Sequence, residues 1–146
     1  ESAGDLQFTE AGSDAIVLAV PRGHALAGRG ALAPADLKGQ RLILRAAGSG
    51  TRSFVERALK RSGLDLARDC DVVCEVDSTE AAREAVKAGV GLAFLSNLAA
   101  AQDAGDGRIS VRRLAGLSLK RPFFLVRPKT RKPTAAARAF AEFIKK

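Results

Sequence analysis

The stretch Ile43–Phe54, ILRAAGSGTRSF, decides the fold. Its first residues are apolar like a buried strand, Gly48-Ser49-Gly50-Thr51 forms a small hydroxyl-bearing turn, and the spacing beyond it is that of a helix. The first N–H groups of a helix have no internal partner, and the helix dipole places partial positive charge there. Glycines also let a ligand approach the backbone closely. The turn therefore predicts a site for small anionic molecules.

The same order of strand, polar turn and helix occurs twice more. Val72–Val76 is followed by Asp77-Ser78-Thr79-Glu80 and a helix, and Val90–Leu95 is followed by Ser96-Asn97 and a shorter helix. Asp77 with Glu80 three residues later has the form of a capping box, so we predict a structural capping role for Asp77. Strands that alternate with helices at this spacing predict an α/β fold with a mostly parallel sheet and right-handed crossovers.

Ligands of such sheets bind beyond the carboxyl ends of the strands. In this chain those ends are Ser49–Thr51, Asp77–Thr79 and Ser96-Asn97, and all three carry hydrogen-bonding side chains. Any one of them, taken alone, is equally explained as a helix cap. Their convergence on one edge of the sheet favours a binding site.

The remaining segments predict further strands and a closing helix. Asp14–Val20, Ile109–Leu114 and Pro122–Val126 have the apolar content of strands, and a helix starting at Thr134 follows a basic loop. This helix carries one apolar stripe, which must pack on another surface. The stripe consists of Ala137, Phe140, Ala141 and Ile144.

Charge and hydropathy limit the classes of partner. The net charge of +8 and pI near 10.2 favour an anionic ligand or a polyanionic partner. The basic residues are scattered without aromatic interleaving or helix-turn-helix spacing, which argues against direct nucleic-acid readout by this chain. No run approaches the roughly 20 apolar residues of a membrane helix, and Glu1–Glu10 has neither the basic start nor the apolar core that a signal peptide has. We therefore expect a cytoplasmic protein, of which this chain is a piece.

No catalytic, cofactor or metal motif is supported. The glycine turn lacks the third glycine of a dinucleotide fingerprint, since Ser53 stands there, and no P-loop lysine follows. His24 is the single histidine, and no carboxylates are paired like a catalytic dyad. Cys70 and Cys74 would lie about 13 Å apart along a strand, beyond disulfide reach. We predict that both cysteines pack on one face beside Val72 and Val76.

Five segments in this order resemble the effector-binding domain of LysR-type transcriptional regulators, from about residue 14 to the end. The order is more specific than any single motif. The segments are AIVLAVPRGHALA at 15–27, DLKG at 36–39, GSGTR at 48–52, DSTE at 77–80 and AGVGLAFLS at 88–96.

The resemblance implies a type 2 periplasmic-binding-protein fold, in which two crossover strands join two α/β lobes and an effector binds in the cleft between them. It divides the chain into a first-lobe remnant with a crossover strand (1–21), a complete Rossmann-like second lobe (22–122), and a returning crossover strand with the C-terminal helix of the first lobe (123–146). Most of the first lobe and the N-terminal DNA-binding helix-turn-helix would lie outside this chain. We therefore expect self-association, as a dimer or tetramer.

The resemblance also implies the function and the site. The implied function is the sensing of a small anionic metabolite by a transcriptional regulator that contacts DNA only through its N-terminal domain. The alternative is a solute-binding protein of an uptake system with the same fold. Phe94 and Ser96 are the weaker site candidates, with core packing and helix capping as rival roles. The implied ligand-binding residues are Gly48, Ser49, Gly50, Thr51, Ser78, Thr79, Phe94 and Ser96.

Overall fold

The computed structural model describes residues 3–144. Most strands and helices lie close to their predicted positions, but the first strand begins at Leu6 instead of the predicted Asp14. Within these residues the strands are β1 (Leu6–Pro21), β2 (Arg41–Arg45), β3 (Asp71–Val76), β4 (Leu92–Ser96), β5 (Ile109–Arg112) and β6 (Lys120–Pro128). The α-helices are α1 (Gly50–Arg61), α2 (Leu66–Asp69), α3 (Thr79–Lys87), α4 (Asn97–Gly105) and α5 (Ala135–Phe143). A short 3-10 helix, Pro34–Leu37, follows β1.

The sheet confirms the α/β prediction and adds one reversed strand. Its order is β3-β2-β4-β1-β5, with β6 pairing only with β1. β2 is parallel to both β3 and β4, whereas β1 is antiparallel to β4 and to β5. Hence β2, β3, β4 and β5 share one direction and β1 opposes them. β1 can run the other way because no strand-helix-strand crossover links it directly to either neighbour.

The chain divides into two compact units, one of Ala15–Lys120 and one of Glu1–Asp14 with Arg121–Lys146. The larger unit includes the second half of β1. The reason is burial: Ile16 to Val20 are all core residues of the sheet. The second half of β1 is therefore a structural strand of the larger unit as well as a connection.

The core of the larger unit lies on both faces of the sheet. Alternate residues of β1 point to opposite faces, so that Leu18 joins one apolar cluster and Val17 the other. α1 packs on the first face through Val55, Ala58 and Leu59, and α3 packs on the second through Ala82 and Val86. Burial on both faces explains why these strands are apolar throughout.

The two cysteines lie on different clusters, contrary to the prediction that they share a face. Cys70 precedes β3, packs on the first cluster and donates its thiol to the backbone oxygen of Leu37 at 3.2 Å. Cys74 packs on the second cluster. A register shift in the β2–β3 pairing breaks the alternation that the prediction assumed. Burial raises the pKa of the Cys70 thiol, which therefore stays protonated at neutral pH.

In the smaller unit the first half of β1 pairs with β6. The Phe8 and Phe124 rings meet edge to face, with centroids 6.1 Å apart, and Arg121 forms a 3.0 Å ion pair with the buried Asp14. α5 begins at the predicted Thr134 cap. Its Phe140 and Phe143 are 56% and 74% exposed. The helix thus presents the apolar side chains for which the sequence predicts a partner surface.

Gly91 lies where two backbones come close. A Cβ atom built at this position would stand 2.8 Å from the carbonyl oxygen of Arg41. We expect Gly91→Ala to lower the free energy of unfolding by about 1–3 kcal/mol, because the backbone of β2 must shift to make room. Gly105→Ala is the matched control, since nothing lies within 4 Å of the added atom. Equal urea midpoints for the two variants would contradict the expectation.

Candidate functional site

Three strand ends lie side by side at one edge of the sheet, as the sequence predicts. β2 lies between β3 and β4 and runs parallel to both. The turns that leave these strands therefore emerge together, and each leads into a helix. We call the residues at these ends, Gly48–Thr51, Asp77–Thr79 and Ser96, the strand-end rim.

The first turn of the rim is shaped by Gly48 and Ser49. Gly48 has φ +90°, a conformation that L side chains rarely adopt. Ser49 is the N-cap of α1, and its hydroxyl accepts the backbone N–H of Arg52 at 3.4 Å. Gly50 is the first helical residue and Thr51 the second. The turn thus places the amino end of a three-turn helix at the rim.

At the second turn, the observed helix cap differs from the predicted one. Ser78, and not Asp77, is the N-cap of α3, and its hydroxyl accepts the backbone N–H of Ala81 at 3.0 Å. The predicted capping box fails because the helix begins at Thr79, which puts Glu80 at the second helical position instead of the third. The backbone oxygen of Asp77 instead accepts a 2.7 Å hydrogen bond from Arg45.

At the third strand end, the two weaker candidates, Ser96 and Phe94, have different environments. Ser96 is the N-cap of α4 and accepts the backbone N–H of Ala99 at 3.4 Å, so it lies at the rim. Phe94 is 6% exposed and belongs to the first core cluster. The structure therefore favours the packing role for Phe94. Thr51, Phe94 and Arg45 border a gap of only about 10 Å³, room for about one water molecule.

Two arginines that are not among the predicted site residues connect the turns. Arg45, the last residue of β2, donates to the hydroxyl of Thr79 at 2.8 Å. Arg52, in the first turn of α1, donates to the backbone oxygen of Arg45 at 2.9 Å and forms 2.8 Å ion pairs with Glu56 and Glu75. The hydrogen bonds to Glu56 and Glu75, in that order, raise the pKa of Arg52. The available signal was the presence of a basic residue on each side of the polar turn, Arg45 before it and Arg52 after it.

A cavity of the smaller unit does not coincide with the rim. It measures about 790 Å³ and lies along the exposed face of α5, between apolar residues such as Phe140 and cations such as Arg131 and Arg138. It is open because the helix has no buried residue on that face. We place the candidate site at the rim, where hydroxyls and helix ends converge, and regard this cavity as an uncovered packing surface.

Within residues 3–144 no group of three or more histidine, cysteine, aspartate or glutamate side chains is arranged to hold a metal ion. Among the same residues, no helix combines the length and apolar content that crossing a bilayer requires.

Known proteins are similar to this chain in sequence. A family model described as the LysR substrate binding domain matches residues 1–146. The transcriptional regulator CbbR of Xanthobacter flavus is 34% identical over 115 residues, which are 79% of this chain and 34% of that protein. The chain therefore spans about a third of the length of this relative.

Solved regulatory domains have the same fold. The CcmR regulatory domain of Synechocystis PCC6803, in complex with 2-PG, superposes with a TM-score of 0.85 at 23% identity, over 96% of this chain and 65% of that one. The effector binding domain of QuiR, in complex with shikimate, gives a TM-score of 0.82 at 18% identity, over 99% of this chain and 66% of that one.

Proposed function

The chain belongs to the LysR substrate-binding domain family, and we propose that its strand-end rim is the part that binds a small anionic effector. The observation that carries the proposal is the convergence of three helix amino ends, capped by Ser49, Ser78 and Ser96, at one edge of the sheet. Each of these hydroxyls accepts a backbone N–H and so keeps its own proton for donation. A rim of donors suits carboxylate, sulfate or phosphate oxygens.

The rim would act as the sensing part of a complete regulator. An effector that binds two conformations with different affinities shifts their equilibrium, and that shift reaches DNA through a helix-turn-helix domain outside this chain. The regulator names of the matched relatives support this assignment and a cytoplasmic location.

The exposed Phe140 and Phe143 of α5 support self-association as a dimer or tetramer.

Two other functions receive less support. A solute-binding protein of an uptake system would share the fold, but the family match and the regulator relatives do not favour it. An enzyme is also not favoured: the rim hydroxyls are helix caps, and His24 accepts a local backbone N–H from Leu26 at 3.2 Å. We therefore propose binding without turnover.

Thermal melting against a panel of small organic and inorganic anions tests the proposal. One class of anion should raise the melting temperature selectively, because a ligand at about 100 times its dissociation constant adds roughly 2.7 kcal/mol to stability. Thr51→Ala should remove the shift, because its side chain lies in the first turn of α1. Thr130→Ala, an exposed loop variant, should keep it. A shift that survives Thr51→Ala, or a panel without selective shifts, would contradict the proposed site.

A further inference from the structure

Arg45 differs from the other arginine at the strand-end rim in its charge balance. Arg52 forms ion pairs with two carboxylates, Glu56 and Glu75. Arg45 is half-buried and takes part in none of the ion pairs found among residues 3–144. It meets Asp77 through the backbone oxygen of that residue. The guanidinium of Arg45, which borders the rim, thus carries a charge that no carboxylate of the described residues balances within 4 Å.

The hydrogen bonds of Arg45 also fix the direction of a hydroxyl proton. A guanidinium has only donors, so the Thr79 oxygen must accept the 2.8 Å hydrogen bond from Arg45. The proton of Thr79 is then left to donate elsewhere, and the described part of the chain shows no acceptor for it. The Arg45 Nε is buried and has no hydrogen-bond partner among the described residues. Of these two groups, the Thr79 hydroxyl is the donor that the oxygen of a bound molecule can reach, since the Nε atom is enclosed by protein.

We propose that Arg45 is the specificity-determining residue of the strand-end rim. Its charge selects small oxyanions over neutral or cationic molecules, and its hydrogen bond to Thr79 points the threonine hydroxyl proton at the bound oxygen. This inference rests on the proposed function, because it takes the rim as the binding site. It narrows that function to ligands that combine a negative charge with acceptor oxygens.

A purely structural role for Arg45 makes a different prediction. If the guanidinium only ties β2 to the amino end of α3, its loss should destabilise the fold without changing ligand preference. Arg45→Lys keeps the charge and loses the two-pronged donor geometry, whereas Arg45→Gln loses the charge. Thr79→Val removes the hydroxyl at nearly constant shape and leaves Arg45 in place. The three variants therefore separate charge, geometry and hydroxyl direction.

Titration with sodium sulfate at constant ionic strength, followed by calorimetry, is the experiment. Arg45→Gln should weaken sulfate binding about ten- to a hundredfold, as expected when one charge-assisted hydrogen bond is lost. Arg45→Lys should fall between this variant and the unsubstituted chain, and Thr79→Val should also bind more weakly. Arg61→Gln, which removes an equal charge from the far end of α1, should bind like the unsubstituted chain.

Unchanged sulfate affinity in Arg45→Gln would overturn the inference. So would a failure of the unsubstituted chain to bind sulfate or inorganic phosphate. The proposed site is judged separately by the melting experiment, extended with neutral compounds. A neutral compound whose shift disappears in Thr51→Ala would uphold the site and overturn the role of Arg45. If Arg45→Gln does not fold, Arg45→Lys and Thr79→Val still decide, since sulfate affinity in both variants equal to that of the unsubstituted chain would overturn the inference.

Discussion

Leu18→Ala is expected to lower the free energy of unfolding by about 2–5 kcal/mol. Leu18 is 1% exposed and lies in β1 between two strands, opposite Phe94 of β4 and Arg112 of β5. Shortening its side chain leaves a cavity on the first face of the sheet, where β1 and its two partners restrict collapse. Equilibrium unfolding in urea measures the change.

The matched control is Leu98→Ala. Leu98 is 69% exposed in the first turn of α4, so its loss should change stability by less than about 0.5 kcal/mol. The denaturant slope should stay constant in both variants, because neither alters the surface exposed on unfolding. Similar midpoints for Leu18→Ala and Leu98→Ala would show that β1 is not an interior strand of a tightly packed core.

Asp103→Ala should give the second large effect, a loss of about 2–3 kcal/mol at pH 7. The Asp103 side chain is almost inaccessible and is surrounded by Arg83 at 2.7 Å, Lys87 at 3.6 Å and Arg108 at 3.9 Å. Its removal leaves three cations without their shared anion. We expect less than the 3–5 kcal/mol of a fully buried pair, because these cations retain some contact with water.

The effect of Asp103→Ala should depend on pH. The hydrogen bond from Arg83 is the main reason that the pKa of Asp103 lies below its ordinary value, with further lowering by the charges of Arg83, Lys87 and Arg108. A carboxyl whose pKa is lower in the folded state contributes stability above its unfolded pKa of about 3.9 and loses it as the pH falls toward the folded pKa. The difference between variant and parent should therefore shrink below about pH 4.

Asp106→Ala provides the control for this cluster. Asp106 pairs with Arg108 at 3.5 Å but is 43% exposed in its side chain, so its loss should cost less than about 1 kcal/mol. A pH-independent difference for Asp103→Ala, or equal losses in the two variants, would contradict a buried charge cluster around Asp103.

The parts of the fold that depend on local sequence could be predicted. Apolar spacing, glycine positions and hydroxyl caps identified the three strand-turn-helix units, because these signals act within one or two helical turns. The reversed direction of β1 could not be predicted in this way, since strand pairing joins residues far apart in sequence. The cap at Ser78 and the register shift beside Cys74 were missed because each differs from the expected pattern by a single residue.

The residues of the candidate site show the same difference between local and long-range signals. The hydroxyls of Ser49, Ser78 and Ser96 could be proposed from the sequence because each lies in a polar turn between a strand and the helix that follows it. The roles of Arg45 and Arg52 were missed because their partners Thr79 and Glu75 lie 34 and 23 residues away along the chain. Such contacts exist only once β2 and β3 have paired.

Mapping the backbone amides that respond to a ligand is the most direct test of the strand-end rim as the effector site. The isotope-labelled chain would be titrated with the panel compound that raises its melting temperature most, and amide shifts would be followed by NMR. The account predicts the largest changes at Gly48–Thr51 and at Ser78 and Thr79. Changes confined to residues away from these turns, such as those lining the cavity along α5, would contradict it.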